Sequence, residues 1–204
     1  MRRTLVLSLA ALTLTGAVVA GCGSGSSAPP GGSTTSSTAP APAPAPTESN
    51  PAGDIPDNQA YVAYQPAGGG FTAKVPEGWA RTTTGSTVIF TDKLNRIEIA
   101  SGRAKAAPTP KSVKSAVVPL LQRQVPKFHL GKVTVVSRPA GQGVLLTYQG
   151  DSAPDAVTGK VVHDAFERYS FFQGGRQVAL TLSGPVGADN VDPWRTVTDS
   201  FRWQ

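Results

Sequence analysis

Cysteine is nearly missing from this chain: Cys22 is the only one in 204 residues. A lone cysteine closes no disulfide within the chain, so stability has to come from packing alone. Histidine is scarce too, represented only by His129 and His163. These two form no His-x-x-x-His pair and have no cysteine beside them, so local spacing writes no zinc site. Phosphate cradles are lacking as well. Gly68-Gly69-Gly70 and Gly141-Gln142-Gly143 are too short for a dinucleotide fingerprint, and no Gly-Lys-Ser/Thr follows either. Both read as turns between strands. No cofactor is expected.

What is present begins at the N-terminus. Arg2 and Arg3 precede a nearly continuous apolar run from Leu5 to Ala20. The run is short for a membrane span, which needs about 20 predominantly apolar residues, and has the proportions of a signal-peptide core. It ends in Val19-Ala20-Gly21-Cys22. Small residues before a cysteine resemble the lipobox of bacterial lipoproteins. That resemblance implies cleavage before Cys22, diacylglyceryl on its sulfur, and anchoring on the outer face of the cell membrane. Two acyl chains hold a protein stably where one holds it only marginally. Residues 1–21 are therefore expected to be a signal peptide.

From Cys22 to about Pro56, Ser, Thr, Gly, Ala and Pro dominate, including an alternating Ala-Pro run from Ala39 to Pro46. Such a segment has too little apolar surface to offset the entropy of ordering. Alternating Ala-Pro favours extended polyproline II, a semi-rigid spacer of about 3.1 Å per residue. Residues 22–56 are expected to be a disordered, lipid-anchored linker.

Residues 57–204 are the size of one domain and carry most of the charged residues behind the overall net charge of +6. The basic residues are scattered apart from Arg103, Lys105, Lys111 and Lys114, as on a solvated surface. A modest excess of this kind also suits anionic lipid or wall polymer. Short β-rich runs are expected at Ala60–Tyr64, Phe71–Val75, Ser86–Thr91, Arg96–Ala100, Val133–Ser137, Val144–Gln149, Lys160–Gln173 and Gln177–Leu182. Val75-Pro76-Glu77-Gly78 suits a type I turn that delivers Trp79 into the core. A helix should start at Thr109-Pro110, with Val113, Ala116, Val117, Leu120 and Leu121 at helical spacing and a kink or break at Pro119. A second should start at Asp192-Pro193, with Trp194, Val197, Thr198 and Phe201 aligned. Short connections between neighbouring strands imply an antiparallel sheet with packed helices, an α+β fold.

The segment Phe71 to Trp79, the hairpin Val88-Ile89-Phe90-Thr91-Asp92-Lys93 with Ile97 and Ile99, and the ending Trp194 to Trp203 together resemble the PsbP-like lipoproteins of actinobacteria, the LpqN type. That superfamily also contains the extrinsic PsbP protein of photosystem II and a yeast Ran-binding nuclear-import factor. The resemblance spans about Ala60 to Trp203. It implies an α-β-α sandwich with a central antiparallel sheet, and accessory binding proteins rather than catalysts. No functional residue transfers with it.

Candidate chemistry is sparse. Ser152, Asp155 and His163 contain the residue types of a nucleophilic set. However, Gly150-Asp151-Ser152-Ala153-Pro154 puts proline where Gly-x-Ser-x-Gly has its second glycine, so an ordinary loop is favoured. His163 and Glu167 share a strand face and should meet around Ala165. Tyr169 and Phe171 lie on that face too, and aromatics so spaced belong either to core or to a ligand groove. With His163 and Glu167 they are the candidate groove residues, and a pocket is expected at the rim where this strand meets the 149–160 loop. Nucleic acid is disfavoured by the exported location and by the lack of interleaved basic and aromatic positions. The expected partners are the membrane, through lipid on Cys22, and an envelope protein, transporter or wall polymer. The competing expectations are a small-molecule-binding lipoprotein that feeds a transporter and, third, a hydrolase.

Overall fold

A computed structural model describes residues 52–155 and 157–204. Two antiparallel sheets carry the architecture. The larger consists of β3 (Ala80–Thr84), β4 (Thr87–Asp92), β5 (Asn95–Arg103), β6 (His129–Arg138), β7 (Gly141–Asp151), β8 (His163–Gln173) and β9 (Arg176–Pro185). Its seven strands run in the order β3-β4-β5-β9-β8-β7-β6. The smaller sheet is β1 (Tyr61–Tyr64), β2 (Phe71–Pro76) and β10 (Arg202–Trp203), with β2 in the middle.

Register explains the core. One row of directly opposed residues crosses the large sheet from Val88 through Ile99, Leu180 and Tyr169 to Leu145. The alternation of strands puts Phe90, Ile97, Leu182, Val178 and Phe171 on the same face. Against this face pack the small sheet, through Phe71, Ala73 and Val75, and the helix α3 (Val191–Ser200), through Val197. Phe201 joins them at 0% exposure, with its ring 5.0 Å from that of Phe171 and 5.5 Å from that of Phe71. The opposite face is apolar mainly toward β7, where Val144, Leu146 and Tyr148 meet Val113 and Val118 of the other helical segment. The expected central antiparallel sheet with both faces covered is present, and the small sheet that shares one face with α3 is an addition to the expected flanking helices.

The first helical segment resolves the conflict at Pro119. It starts as α1 (Pro110–Ser112) under Thr109, whose hydroxyl accepts from the Ser112 amide while the Ser112 hydroxyl accepts from the Thr109 amide. A π-helical stretch over Val113–Val117 follows, closed by the Val118 amide donating to the Val113 carbonyl. Then α2 (Val118–Gln124) begins, with Pro119 in its first turn, where no amide donor is required. The wider turn absorbs the proline, so the segment bulges instead of breaking.

Several sequence expectations need correction. α3 starts at Val191 with Asn190 as its cap residue, so Asp192 and Pro193 both lie in its first turn. Trp79 is only partly buried at the core margin. Gly143 lies inside β7 rather than in the turn, because a side chain there would press on the Phe171 ring and the Ser170 carbonyl. Residues 53–55, assigned to the linker, belong to the folded unit. Ile55 is buried, its amide donates to Asn190 Oδ1, and the Gly53 carbonyl accepts from both Asn95 and Asn190. Residues 1–51, with Cys22, lie outside the described residues, as does Ala156. Among the described residues no helix is long and apolar enough to cross a membrane.

Candidate functional site

The structure separates the candidate nucleophilic set. The Ser152 hydroxyl donates to the Ala153 carbonyl and accepts from the Val162 amide, both at 3.0 Å, and so ties its loop to the approach to β8. The Asp155 carboxylate accepts from the Val157 amide and from the amide and hydroxyl of Thr158, which holds its pKa below the ordinary value. His163 Nδ1 lies 2.9 Å from Asp151 Oδ1, directly across the β7–β8 ladder. Lys127 and then His163 hold the Asp151 carboxyl below its usual range. Among the described residues no serine hydroxyl meets a histidine, and no three His, Cys, Asp or Glu side chains gather as metal ligands.

The four groove candidates do not converge either. Phe171 is fully buried and Tyr169 is 3% exposed, so both are core. Glu167 pairs with Tyr169, whose hydroxyl donates to Glu167 Oε2 at 2.7 Å and accepts from Arg138 at 3.1 Å. Burial, then Glu167, pushes the Tyr169 hydroxyl up to about 12. Arg138 lies over the Tyr169 ring and faces Asp199 of α3 at 3.3 Å, off the hydrogen-bond direction. His163, bound to Asp151 instead, stays apart from all of these. This network links α3 to the sheet through Arg138.

Elsewhere among the described residues lie two clefts of about 490 Å³ each, a size that takes small ligands. One lies where β8 begins beside the 149–160 loop, at the rim the sequence pointed to. Ser152, Asp155, Lys160 and Asp164 line it together with Lys93 and Arg96. Asp164 is 5% exposed and its Oδ1 is buried with no hydrogen-bond partner. Burial raises its carboxyl to about 6, although the charge of nearby His163 opposes the rise.

The other cleft opens between the Gly68-Gly69-Gly70 loop and the opposite end of β5 and β9. Val88, Ile99 and Val178 form its floor, and Tyr64, Phe71 and Trp203 stand along one wall. Arg81, Arg103 and Arg176 also line it, and no carboxylate side chain does. In the β5–β9 ladder Arg103 sits directly opposite Arg176. Sequence reasoning grouped Arg103 with neighbouring lysines and missed this trio, because only strand register brings positions 81, 103 and 176 together.

No family model matches the chain, and no curated protein sequence matches it. Solved structures do. The solution structure of cyanobacterial PsbP from Synechocystis sp. PCC 6803 is 15% identical and superposes with a TM-score of 0.51, covering 72% of this chain and 94% of that one. The Ran-binding protein Mog1p of Saccharomyces cerevisiae is 10% identical with a TM-score of 0.48, covering 71% and 96%. LpqN of Mycobacterium tuberculosis, described as involved in cell envelope biogenesis, is 12% identical with a TM-score of 0.43, covering 72% and 92%. The class is thereby defined: the chain has the PsbP-like fold. At these identities the likeness establishes architecture, and function has to be argued from this chain's own residues.

Proposed function

We propose that this chain is an extracytoplasmic lipoprotein, held on the outer face of the cell membrane by lipid on Cys22, whose PsbP-like domain is a non-catalytic binding or accessory module of the envelope. The anchor reading rests on the apolar run ending in Val19-Ala20-Gly21-Cys22 and on the stalk-like composition that follows. The non-catalytic reading rests on one observation: three of the side chains that the sequence offered for chemistry are already engaged with the domain's own backbone and side chains. Ser152 serves its loop, His163 serves Asp151, and Glu167 serves Tyr169. The partner is an envelope protein, such as a transporter component, or a wall polymer. The cleft volumes also favour the second reading, a domain that takes up a small molecule and presents it to a transporter.

Two measurements test this. Mass spectrometry of the native protein should find a mature chain starting at a diacylated Cys22, and an intact Met1 or an unmodified thiol would remove the anchor. Crosslinking in intact cells, followed by recovery of the chain from detergent-solubilised membranes, should yield the same envelope partner repeatedly, and less of it from a Cys22→Ser strain. Turnover of ester or peptide substrates that Ser152→Ala abolishes would overturn the non-catalytic reading.

A further inference from the structure

The geometry points to the arginine cleft as a binding site for an organic anion: a phosphate or carboxylate head held by Arg81, Arg103 and Arg176, with an apolar body on the Val88–Ile99–Val178 floor. This deepens the binding-module reading by naming the ligand chemistry of one site.

The first argument is charge without compensation. Like charges directly opposed across a strand pair are unfavourable, yet Arg103 and Arg176 face each other in the β5–β9 ladder. Arg81 comes in from β3 on the same sheet face. Neither Arg81 nor Arg103 makes an ion pair among the described residues. Arg81 lies over the Tyr64 ring at 5.0 Å, whereas Arg176 donates at 3.3 Å to the main-chain carboxyl oxygen of Gln204. The Arg103 guanidinium has no side-chain partner among the described residues. Elsewhere in the domain some arginines are neutralised, Arg96 by Glu98 and both Arg138 and Arg195 by Asp199; what sets the cleft apart is that its three guanidiniums share one concave lining that has no carboxylate side chain. A concave site lined by one sign of charge focuses potential and collects the opposite ion. The planar fork of arginine matches carboxylate and phosphate oxygens in pairs.

The second argument is construction. Gly70 has φ +93°, and a Cβ on it would run into the Arg176 guanidinium. The glycine-rich loop therefore lies on Arg176 with bare backbone and limits where that side chain can go. Below the cations the lining turns apolar, so a bare inorganic ion would leave most of the cleft unfilled. An anion with an attached ring or short alkyl body uses both parts.

Isothermal titration calorimetry on the full chain in a neutral detergent tests this, with phenyl phosphate, inorganic phosphate and benzyl alcohol as probes. Phenyl phosphate should bind one to one, with an affinity that falls as salt rises and exceeds that for inorganic phosphate by about tenfold or more. Benzyl alcohol should give no saturable heat. Arg103 is exposed, so Arg103→Gln should fold normally and weaken phenyl phosphate by about tenfold or more, whereas Arg103→Lys should weaken it less. Short-chain dihexanoyl phosphatidylglycerol, titrated in parallel, distinguishes a lipid headgroup from a soluble ester: tighter binding than phenyl phosphate assigns the former, weaker binding the latter. No saturable binding of either phosphate ester, inorganic phosphate binding as tightly as phenyl phosphate, or affinities unchanged by Arg103→Gln would overturn the inference. If envelope-partner recovery persists in that case, the binding-module reading stands without it.

Discussion

The two clefts have the same volume but opposite solutions to the problem of charge. They lie at opposite ends of β5, with Asn95 and Arg96 in one and Ile99 to Arg103 in the other. In the Asp164 cleft charges of both signs stand together, Lys93, Arg96 and Lys160 beside Asp155 and Asp164. Arg96 is bound to Glu98 at 2.7 Å, the Asp155 carboxylate is spent on its own loop, and Asp164 is buried enough to hold its proton to about pH 6. In the arginine cleft no carboxylate side chain stands among the cations, Arg81 and Arg103 make no ion pair among the described residues, and the lining below them is apolar. Size therefore does not separate the two, whereas the balance of fixed charge does. A pocket with fixed charges of both signs attracts an anion less than one whose charged side chains are all guanidiniums, two of them without an ion pair.

The largest way to break this contrast is to remove the support of one cleft. Phe201 is fully buried and backs Phe71 and Trp203, both of which line the arginine cleft. Phe201→Ala should cost about 3–5 kcal/mol in denaturant unfolding. Next comes the amide knot beside the Asp164 cleft. Asn190→Ala leaves the Gly53 carbonyl, the Ile55 amide and Asn95 short of a partner, and should cost about 2–3 kcal/mol. Calorimetric melting should show it, and hydrogen exchange should show residues 53–55 losing protection.

Asp164→Asn should act in the other direction. The folded carboxyl keeps its proton to about pH 6 and the unfolded one only to its ordinary 3.8, so between these values the folded state binds more protons. Stability contributed by this group therefore falls as pH rises from about 4 to 6, and the neutral amide should recover about 1–2 kcal/mol at pH 7. Denaturant curves across that range should be flatter in the variant. The smallest effect belongs to Arg96→Gln. Its ion pair with Glu98 is partly exposed, so the cost should stay below about 1 kcal/mol, and phenyl phosphate binding at the other cleft should not change.

How much of this was legible in the sequence differs by element. β9 was plain, because Val178, Leu180 and Leu182 alternate cleanly and all three are buried. The β4–β5 hairpin was equally clear from its two β-rich runs around Asp92-Lys93-Leu94-Asn95. β3 left no trace: Ala80–Thr84 is exposed throughout and is a strand only because β4 offers it a partner. β10 is two residues long and likewise exists through pairing with Phe71 and Thr72. Residues 53–55 read as linker because what holds them is hydrogen bonding to Asn95 and Asn190, far along the chain.

The sites followed the same rule. The rim pocket was foreseeable, since one loop and the adjacent strand end supply much of its lining. The arginine cleft was not, since its cations come from three strands whose register no local pattern reveals. For Tyr169 and Phe171, spacing alone favoured core but left a groove open. Two-sided burial of the sheet and the pull of Arg138 and Glu167 on the Tyr169 hydroxyl settled it as core.

The contrast between the clefts is tested most directly by NMR of the arginine side-chain Nε–Hε resonances during titration of the full chain with phenyl phosphate. Resonances of Arg81, Arg103 and Arg176 should shift together and saturate at one equivalent, while Arg96 and Arg138 stay in place. Equal movement of all five, or movement of Arg96 alone, would contradict it.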